Sequence, residues 1–333
     1  MSTRKIRWGI LGVAKINDRL LPSFAKLGNG ELVGIASRSL DRAQHAAKSA
    51  GIPRAFGSYE ALLDDPGIDA VYNPLPNNLH AGWTKKAADR GKHVLCEKPL
   101  TPTAPEAAEL VAYCRSKKIV LMDGFHWPHH PRTKMLREFL DKGEIGPIRR
   151  IGGAFTFRMA ELNLANIRLQ PELGGGSLLD VGCYPIYGIR WAIQAEPVRV
   201  WATAHHVNGV DVEMTGTLWF ADGRIASFDC GFTHPYRGWL EIAGTTGTVF
   251  VHDMWLPAPH ATFEVRRDGK PAGAPEVHGV DGHDQIQHML ENFASAVQGG
   301  QPATPSPDEA VKTLRVLDGL AKSARAGTVV DLS

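Results

Sequence analysis

The stretch VLCEKP (Val94–Pro99) ends an apolar run with an acid, a lysine and a proline. If the run is a strand of an open parallel sheet, its carboxyl end faces the crevice where such sheets bind ligands. The Lys98 ammonium then projects toward a ligand held in that crevice, and Pro99 makes the turn rigid, with a cis peptide one way to do so. The plainer alternative is a strand that has ended and returned its polar residues to solvent.

The amino end carries a second chemical signal. The run IRWGIL leads into Gly12-Val13-Ala14-Lys15-Ile16-Asn17. Against the dinucleotide fingerprint G-x-G-x-x-G, only the first glycine remains; Ala14 and Asn17 stand where the second and third would be. The context is still that of a phosphate site: strand, tight turn, helix amino end. The next strand closes with Ser37-Arg38-Ser39 in place of the acid that commonly accepts from an NAD ribose. A guanidinium and two hydroxyls suit a 2′-phosphate, and Arg42, one helical turn beyond Arg38, can face the same pocket. The expected cofactor is therefore NADP, with NAD as the alternative. The pairs His129-His130 and His205-His206 do not suggest a metal, because neighbouring residues rarely share one ion and no acidic or histidine ligands flank them at ligand spacing.

The elements that must hold these residues follow from rhythm. Strand and helix alternate through the first third: strands near Ile6–Leu11, Glu31–Ser37, Arg54–Phe56, Ala70–Leu75, within HVLCEK and within IVLMDGF, separated by helical patterns. That rhythm predicts right-handed βαβ units and a parallel Rossmann sheet over 1–124. After Phe125 the pattern changes to one bridging helix, PRTKMLREFLDKG, and a helical stretch at SLLDVGCYPIYGIRWAIQ. Runs of period-two alternation follow, VRVWATAHHV, VEMTGTLWF, RIASFDCGF, GWLEIAG and GTVFVHD. The expectation is a second, α+β domain over 125–333 that binds substrate and forms oligomers, built on a large open, mostly antiparallel sheet. Two closing helices are expected near 284–297 and 307–326, the last able to pack back on the first domain.

Composition agrees with a two-domain globular chain. The 333 residues are 43% hydrophobic with a formal net charge of +2, which gives no surface for nucleic acid or anionic membrane. Four widely spaced cysteines indicate neither a disulfide framework nor a zinc knuckle. The amino terminus lacks a signal-peptide pattern, and no run is long and apolar enough to span a bilayer. A cytoplasmic location is expected.

RWGILGVAKI, YNPLPNNLH, HVLCEKPL, GGGSLLDVGCYP and HMLENFASAVQGG together resemble the Gfo/Idh/MocA oxidoreductases, in the branch of glucose–fructose oxidoreductase, dihydrodiol dehydrogenase and sugar dehydrogenases. The resemblance covers nearly the whole chain. It implies that Lys98 is the catalytic lysine of the Glu-Lys-Pro motif, and that Asp180 and Tyr184 form the branch's Asp-x-x-x-Tyr. It also implies a cofactor-binding set of Gly12, Ala14, Lys15, Ile16, Ser37, Arg38, Arg42, Pro74, Leu75, Asn77, His80, Glu97, Lys98 and Trp127. Many relatives carry Arg where Pro128 stands, which leaves Trp127 to stack or pack beside the nicotinamide.

Helical spacing places Asp180 and Tyr184 on one face. The implied reaction is hydride transfer between nicotinamide and a sugar, polyol or related carbinol or carbonyl. Tyr184 is expected to exchange the hydroxyl proton, Lys98 to favour the phenolate and bond the reacting oxygen, and Asp180 to accept from a neighbouring hydroxyl. Two other readings fit the fold: an NAD-dependent glycosidase working by transient oxidation, and a cofactor-binding sensor without turnover. Apolar residues in both registers of the second sheet, such as Val198, Val200, Leu218, Phe220 and Phe228, suggest that one face packs helices and the other a second subunit, as a homodimer or homotetramer.

Overall fold

The computed structural model describes residues 4–267 and 274–332. They fall into two compact units, Met1–His126 with Asp284–Val311, and Trp127–His283 with Lys312–Ser333.

The first unit begins with β1 (Ile6–Leu11), α1 (Asn17–Phe24), β2 (Gly30–Ala36), α2 (Leu40–Ala50), β3 (Arg54–Phe56) and α3 (Tyr59–Leu63). It continues with β4 (Ala70–Asn73), α4 (His80–Asp89), β5 (His93–Cys96), α5 (Ala104–Ser116) and β6 (Leu121–Asp123). The six strands form one sheet in the order β3-β2-β1-β4-β5-β6, and every neighbouring pair is parallel. Helices cover both faces of such a sheet, so its strands read as continuous apolar runs: all of β4, and all of β5 beyond His93, are buried. The strand order reverses between β1 and β4, which opens a crevice at their carboxyl ends. Local chemistry sets the helix limits. Ser39 Oγ accepts from the Arg42 N–H at the start of α2, and Gly51 ends it at φ 66°. Ser58 caps α3 in the same way.

The second unit begins with α6 (Pro131–Asp141) and β7 (Ile148–Thr156). A π-helical turn at Leu178–Gly182 runs into α7 (Cys183–Ile193). Then come β8 (Pro197–Val207), β9 (Val210–Phe220), β10 (Ile225–Gly231), β11 (Leu240–Gly244), β12 (Gly247–Val251), β13 (His260–Arg267) and β14 (Glu276–Asp281). The chain closes with α8 (Gln285–Val297), α9 (Asp308–Ala326) and β15 (Val330–Asp331). The second sheet has nine strands in the order β14-β13-β12-β11-β7-β10-β9-β8-β15. Only the central pair β7–β10 is parallel; the other seven pairs are antiparallel. Burial along β9 alternates strictly, with apolar side chains inward and half-exposed residues outward. Four sheet members, β7, β13, β14 and β15, lie outside the runs that alternation singles out.

Helix α8 belongs to the first unit's core. Asp284 caps it by accepting from the Ile286 and Gln287 N–H groups, and also accepts from Ser23 Oγ at 2.7 Å. Its apolar stripe, Ile286, Met289, Leu290 and Phe293, packs with β1 and α1, and the Phe293 ring lies 4.9 Å from that of Trp8. Phe293→Ala should therefore destabilise the first unit by about 3–5 kcal/mol, measured by urea unfolding; a loss under 1 kcal/mol would detach α8 from this core.

Candidate active site

The first unit gathers its candidates at the carboxyl ends of β1, β2, β4 and β5. Gly12 has φ 121°, a left-handed conformation that side-chain-bearing residues rarely adopt, and a Cβ there would lie 3.2 Å from Leu75 Cδ2. The loop that follows is tied by Asn17, whose Nδ2 donates to the Gly12 carbonyl at 2.9 Å. Lys15 is exposed, Ala14 is half-buried, and Ile16 packs its side chain against the apolar core while its carbonyl accepts from the Arg19 N–H at 3.0 Å. At the end of β2, Ser37 is buried and accepts from the Ser39 N–H at 3.3 Å, while Arg38 and Arg42 are exposed. The Arg42 guanidinium donates to the Val13 carbonyl at 2.9 Å, so it lies across the loop that starts at Gly12. The residues fit a dinucleotide with a 2′-phosphate: a glycine turn whose Cβ space is closed, backbone at a helix amino end, and two arginines with serines at the ribose end.

The loop after β4 carries Pro74 and Leu75, both buried, and Asn77, half-buried at the start of a 3₁₀ turn. Asn73, which sequence reasoning missed, braces this loop. Its amide donates to the His80 carbonyl and Thr84 Oγ1, each at 3.3 Å, and its Oδ1 accepts from the Leu75 N–H.

Lys98 is half-buried on the turn after β5, followed by a cis Lys98–Pro99 peptide. Beneath it, Glu97 is not aimed at a cofactor as expected. Its Oε1 accepts from the Tyr72 hydroxyl at 2.6 Å, its Oε2 from the Lys98 N–H at 3.2 Å, and His126 Nε2 stands 3.8 Å from Oε1. Burial pushes the Glu97 carboxyl up, but His126, Lys98 and Tyr72 together hold it below the usual carboxylate range. His80 also departs from expectation: it is wholly buried, with both ring nitrogens against backbone carbonyls, so it presents no atom to a nucleotide.

The second unit holds Asp180 and Tyr184. Asp180 lies on the π-helical turn and Tyr184 at the head of α7. The turn is pinned by Asp211, whose Oδ2 accepts from Ser177 Oγ and from the Leu178 N–H, each at 2.6 Å. Gly176, at φ 115°, has no room for a side chain because a Cβ would collide with the Asp211 carboxylate. The Tyr184 ring is 7% exposed and packs edge-on to Phe155 at 4.9 Å. Arg168, absent from the sequence-derived set, donates from Nε to Asp180 Oδ2 at 2.6 Å. The charge of Asp180 is the main cause that raises the Arg168 pKa, and Tyr184 adds to it, so one cation serves both residues. No motif marks Arg168; it reaches Asp180 from a loop twelve positions earlier.

Trp127 is a further correction. Its ring is wholly buried among Tyr187, Trp191 and Trp255, at 5.1, 5.5 and 5.6 Å, all in the second unit. With no exposed surface, the ring offers no face on which a nicotinamide could stack. Among the described residues no group of three or more His, Cys, Asp or Glu side chains could hold a metal, and no helix is long and apolar enough to cross a membrane.

A parallel sheet with a nucleotide turn, joined in one chain to an open mixed sheet, is the architecture of a dinucleotide-binding protein. Residues 6–125 match the family model "Oxidoreductase family, NAD-binding Rossmann fold", and residues 133–250 match "GFO/IDH/MocA C-terminal domain". The chain belongs to the Gfo/Idh/MocA family. It is 37% identical over 329 residues to D-xylose 1-dehydrogenase (NADP(+)) 2 of Haloferax volcanii, covering 98% of this chain and 99% of that one. A 3-ketoreductase from Actinomadura kijaniata, solved with NADP and TDP-benzene, superposes with a TM-score of 0.89 at 32% identity, over 96% of this chain and 98% of that one. The aldose-aldose oxidoreductase of Caulobacter crescentus, solved with glycerol, gives 0.90 at 25% identity, over 98% and 100%.

One buried carboxyl in the first unit titrates in an informative range. Asp123, at the end of β6, is 1% exposed, and neither carboxyl oxygen has a hydrogen-bond partner. Burial, then the charges of Glu97 and Glu309, push its pKa up to about 7. The folded value lies above the unfolded one, so the unfolded chain loses this proton first as pH rises. Stability should fall from about pH 4 to about pH 7 and level off above. Asp123→Asn should remove that slope and stabilise the protein at pH 8; an unchanged profile of urea midpoint against pH would show that Asp123 ionises normally.

Proposed function

We propose that this enzyme exchanges a hydride between NADP and a carbinol or carbonyl carbon of a sugar, polyol or related substrate, with Lys98, Tyr184 and Asp180 as its chemical residues. The observation that carries the cofactor choice is the end of β2, where Ser37, Arg38 and Arg42 stand in place of an acid and Arg42 crosses the glycine loop. The names of similar proteins support it: one is an NADP-dependent xylose dehydrogenase, and another was solved with NADP. Variants of that 3-ketoreductase with a tyrosine replaced by phenylalanine, or a lysine by alanine or glutamate, have also been solved.

When bound, NADP supplies the hydride acceptor or, reduced, the donor. Gly12, Ala14, Lys15 and Ile16 would hold its pyrophosphate; Ser37, Arg38 and Arg42 its 2′-phosphate; Pro74, Leu75 and Asn77 would wall the site. Tyr184 takes the substrate hydroxyl proton in oxidation and returns it in reduction. An unperturbed phenol titrates near about 10, too high for a base at neutral pH. Arg168 is a cation beside Tyr184 and favours its ionised form. The Lys98 ammonium polarises the reacting oxygen, and Asp180, oriented by Arg168, accepts from a neighbouring substrate hydroxyl.

The outward face of the second sheet supports an assembly through that sheet. Trp239 and Phe250 stack there at 5.6 Å while remaining half-exposed, and Trp201 and Trp219 are half-exposed on neighbouring strands. A second copy would cover these aromatics, and sedimentation should give a multiple of the chain mass. The four cysteines are buried thiols, which suits a reducing cytoplasm.

Two measurements test the reading. Lys98→Ala and Tyr184→Phe should each lower kcat on a sugar substrate by about 100-fold or more, with NADP binding preserved by titration. Near-wild-type turnover in either would remove that residue from the chemistry. Arg38→Asp should lower kcat/KM for NADP relative to NAD by about 10–100-fold, the worth of one charged hydrogen bond. An unchanged ratio would move 2′-phosphate recognition elsewhere.

A further inference from the structure

His80 opens α4 and has no exposed surface. Its Nδ1 lies 2.9 Å from the Pro99 carbonyl oxygen and its Nε2 lies 2.7 Å from the Leu75 carbonyl oxygen. These oxygens belong to the loops that leave β4 and β5. Leu75 closes over Gly12, where a Cβ would meet its side chain at 3.2 Å. Pro99 directly follows Lys98. The ring therefore bridges the wall of the nucleotide turn and the lysine turn, and its planarity fixes their separation.

A carbonyl oxygen only accepts, so each contact is a hydrogen bond when the facing nitrogen carries a proton. With one proton the ring donates to one carbonyl at a time; with two it donates to both. Burial draws the ring's pKa down, while the two carbonyls and Glu97 oppose it. Neither nitrogen is directed at a ligand, which separates this residue from those that touch substrate or cofactor.

We propose that His80 is a positioning residue with two separable effects: its Nδ1 side holds the Lys98–Pro99 turn, and its Nε2 side holds the Leu75 wall of the cofactor pocket. The inference rests on the assignment of Lys98 to the chemistry made above. Two amides divide the ring between them. His80→Asn keeps a donor near the position of Nδ1, and His80→Gln keeps one near the position of Nε2.

His80→Asn should bind NADP about tenfold more weakly by calorimetric titration while keeping kcat at saturating cofactor. His80→Gln should keep NADP affinity and lose about tenfold in kcat. If both variants lose affinity and kcat together, in proportion to a lowered melting midpoint, His80 is a packing residue and the proposal is wrong. Should Lys98→Ala retain turnover, the catalytic reading fails; should it abolish turnover while the two His80 variants behave alike, only the positioning inference fails. Wild-type protein offers a check that needs no variant to fold. A ring N–H of His80 held by a buried carbonyl should give a slowly exchanging proton in long-range ¹H–¹⁵N spectra. Fast exchange of every ring N–H of His80 with water would overturn the clamp.

Discussion

One buried negative charge organises the carboxyl ends of β4, β5 and β6. Two acids, Glu97 and Asp123, are both nearly inaccessible to water there, and each raises the other's cost of ionising. The charge settles where donors are found. Glu97 receives the Tyr72 hydroxyl and the Lys98 N–H, with His126 close by, and so stays ionised. Neither Asp123 oxygen has a comparable partner, and burial followed by the charge of Glu97 pushes its pKa up to about 7. Removing one partner from a buried charge costs far more than the pair is worth. The glutamate is thus a foundation for the turn above it, and the lysine's orientation depends on it.

The second unit solves the matching problem with a different device. Asp180 must point away from the core at the start of a helix that is buried along most of its length. A π-helical turn, fixed by Asp211 and admitted by Gly176, widens the backbone just there, and such turns are often found at functional sites. Arg168 then takes the outward carboxylate. The acid is held by a cation that keeps 40% of its side-chain surface exposed, so the pair remains open to a ligand rather than sealed as a structural bridge.

The alternation of the first unit was legible because a sheet covered on both faces demands unbroken apolar strands, and each of its six strands carries such a run or a turn signal beside it. The second sheet was legible only where one face is wet. Strand β7, IRRIGGAFT, lies at its centre and has no alternation: Gly153 gives way to Pro185 of α7, and Gly152 to Trp239, so packing removed the side chains that would have marked it. Lys98 was visible from its place at a strand end, and Asp180 and Tyr184 through the family resemblance. Their supports were not. Tyr72 reaches Glu97 across 25 positions and Asp211 reaches Ser177 across 34, and such distances leave no local pattern.

Asn17 shows how a weakened fingerprint can still make a nucleotide turn. The third glycine of the motif normally lets the helix approach the strand closely. Here the position bears a side chain that is 3% exposed and donates back to the Gly12 carbonyl, so the polar group that crowds the approach also closes the loop. The amide replaces conformational freedom by a specific bond, and a turn held by its own side chain does not need three glycines. Gly12 is harder to replace, because at φ 121° any side-chain-bearing residue is strained and a Cβ would press on Leu75 Cδ2 at 3.2 Å. The one glycine that the chain retains is the one that the geometry requires.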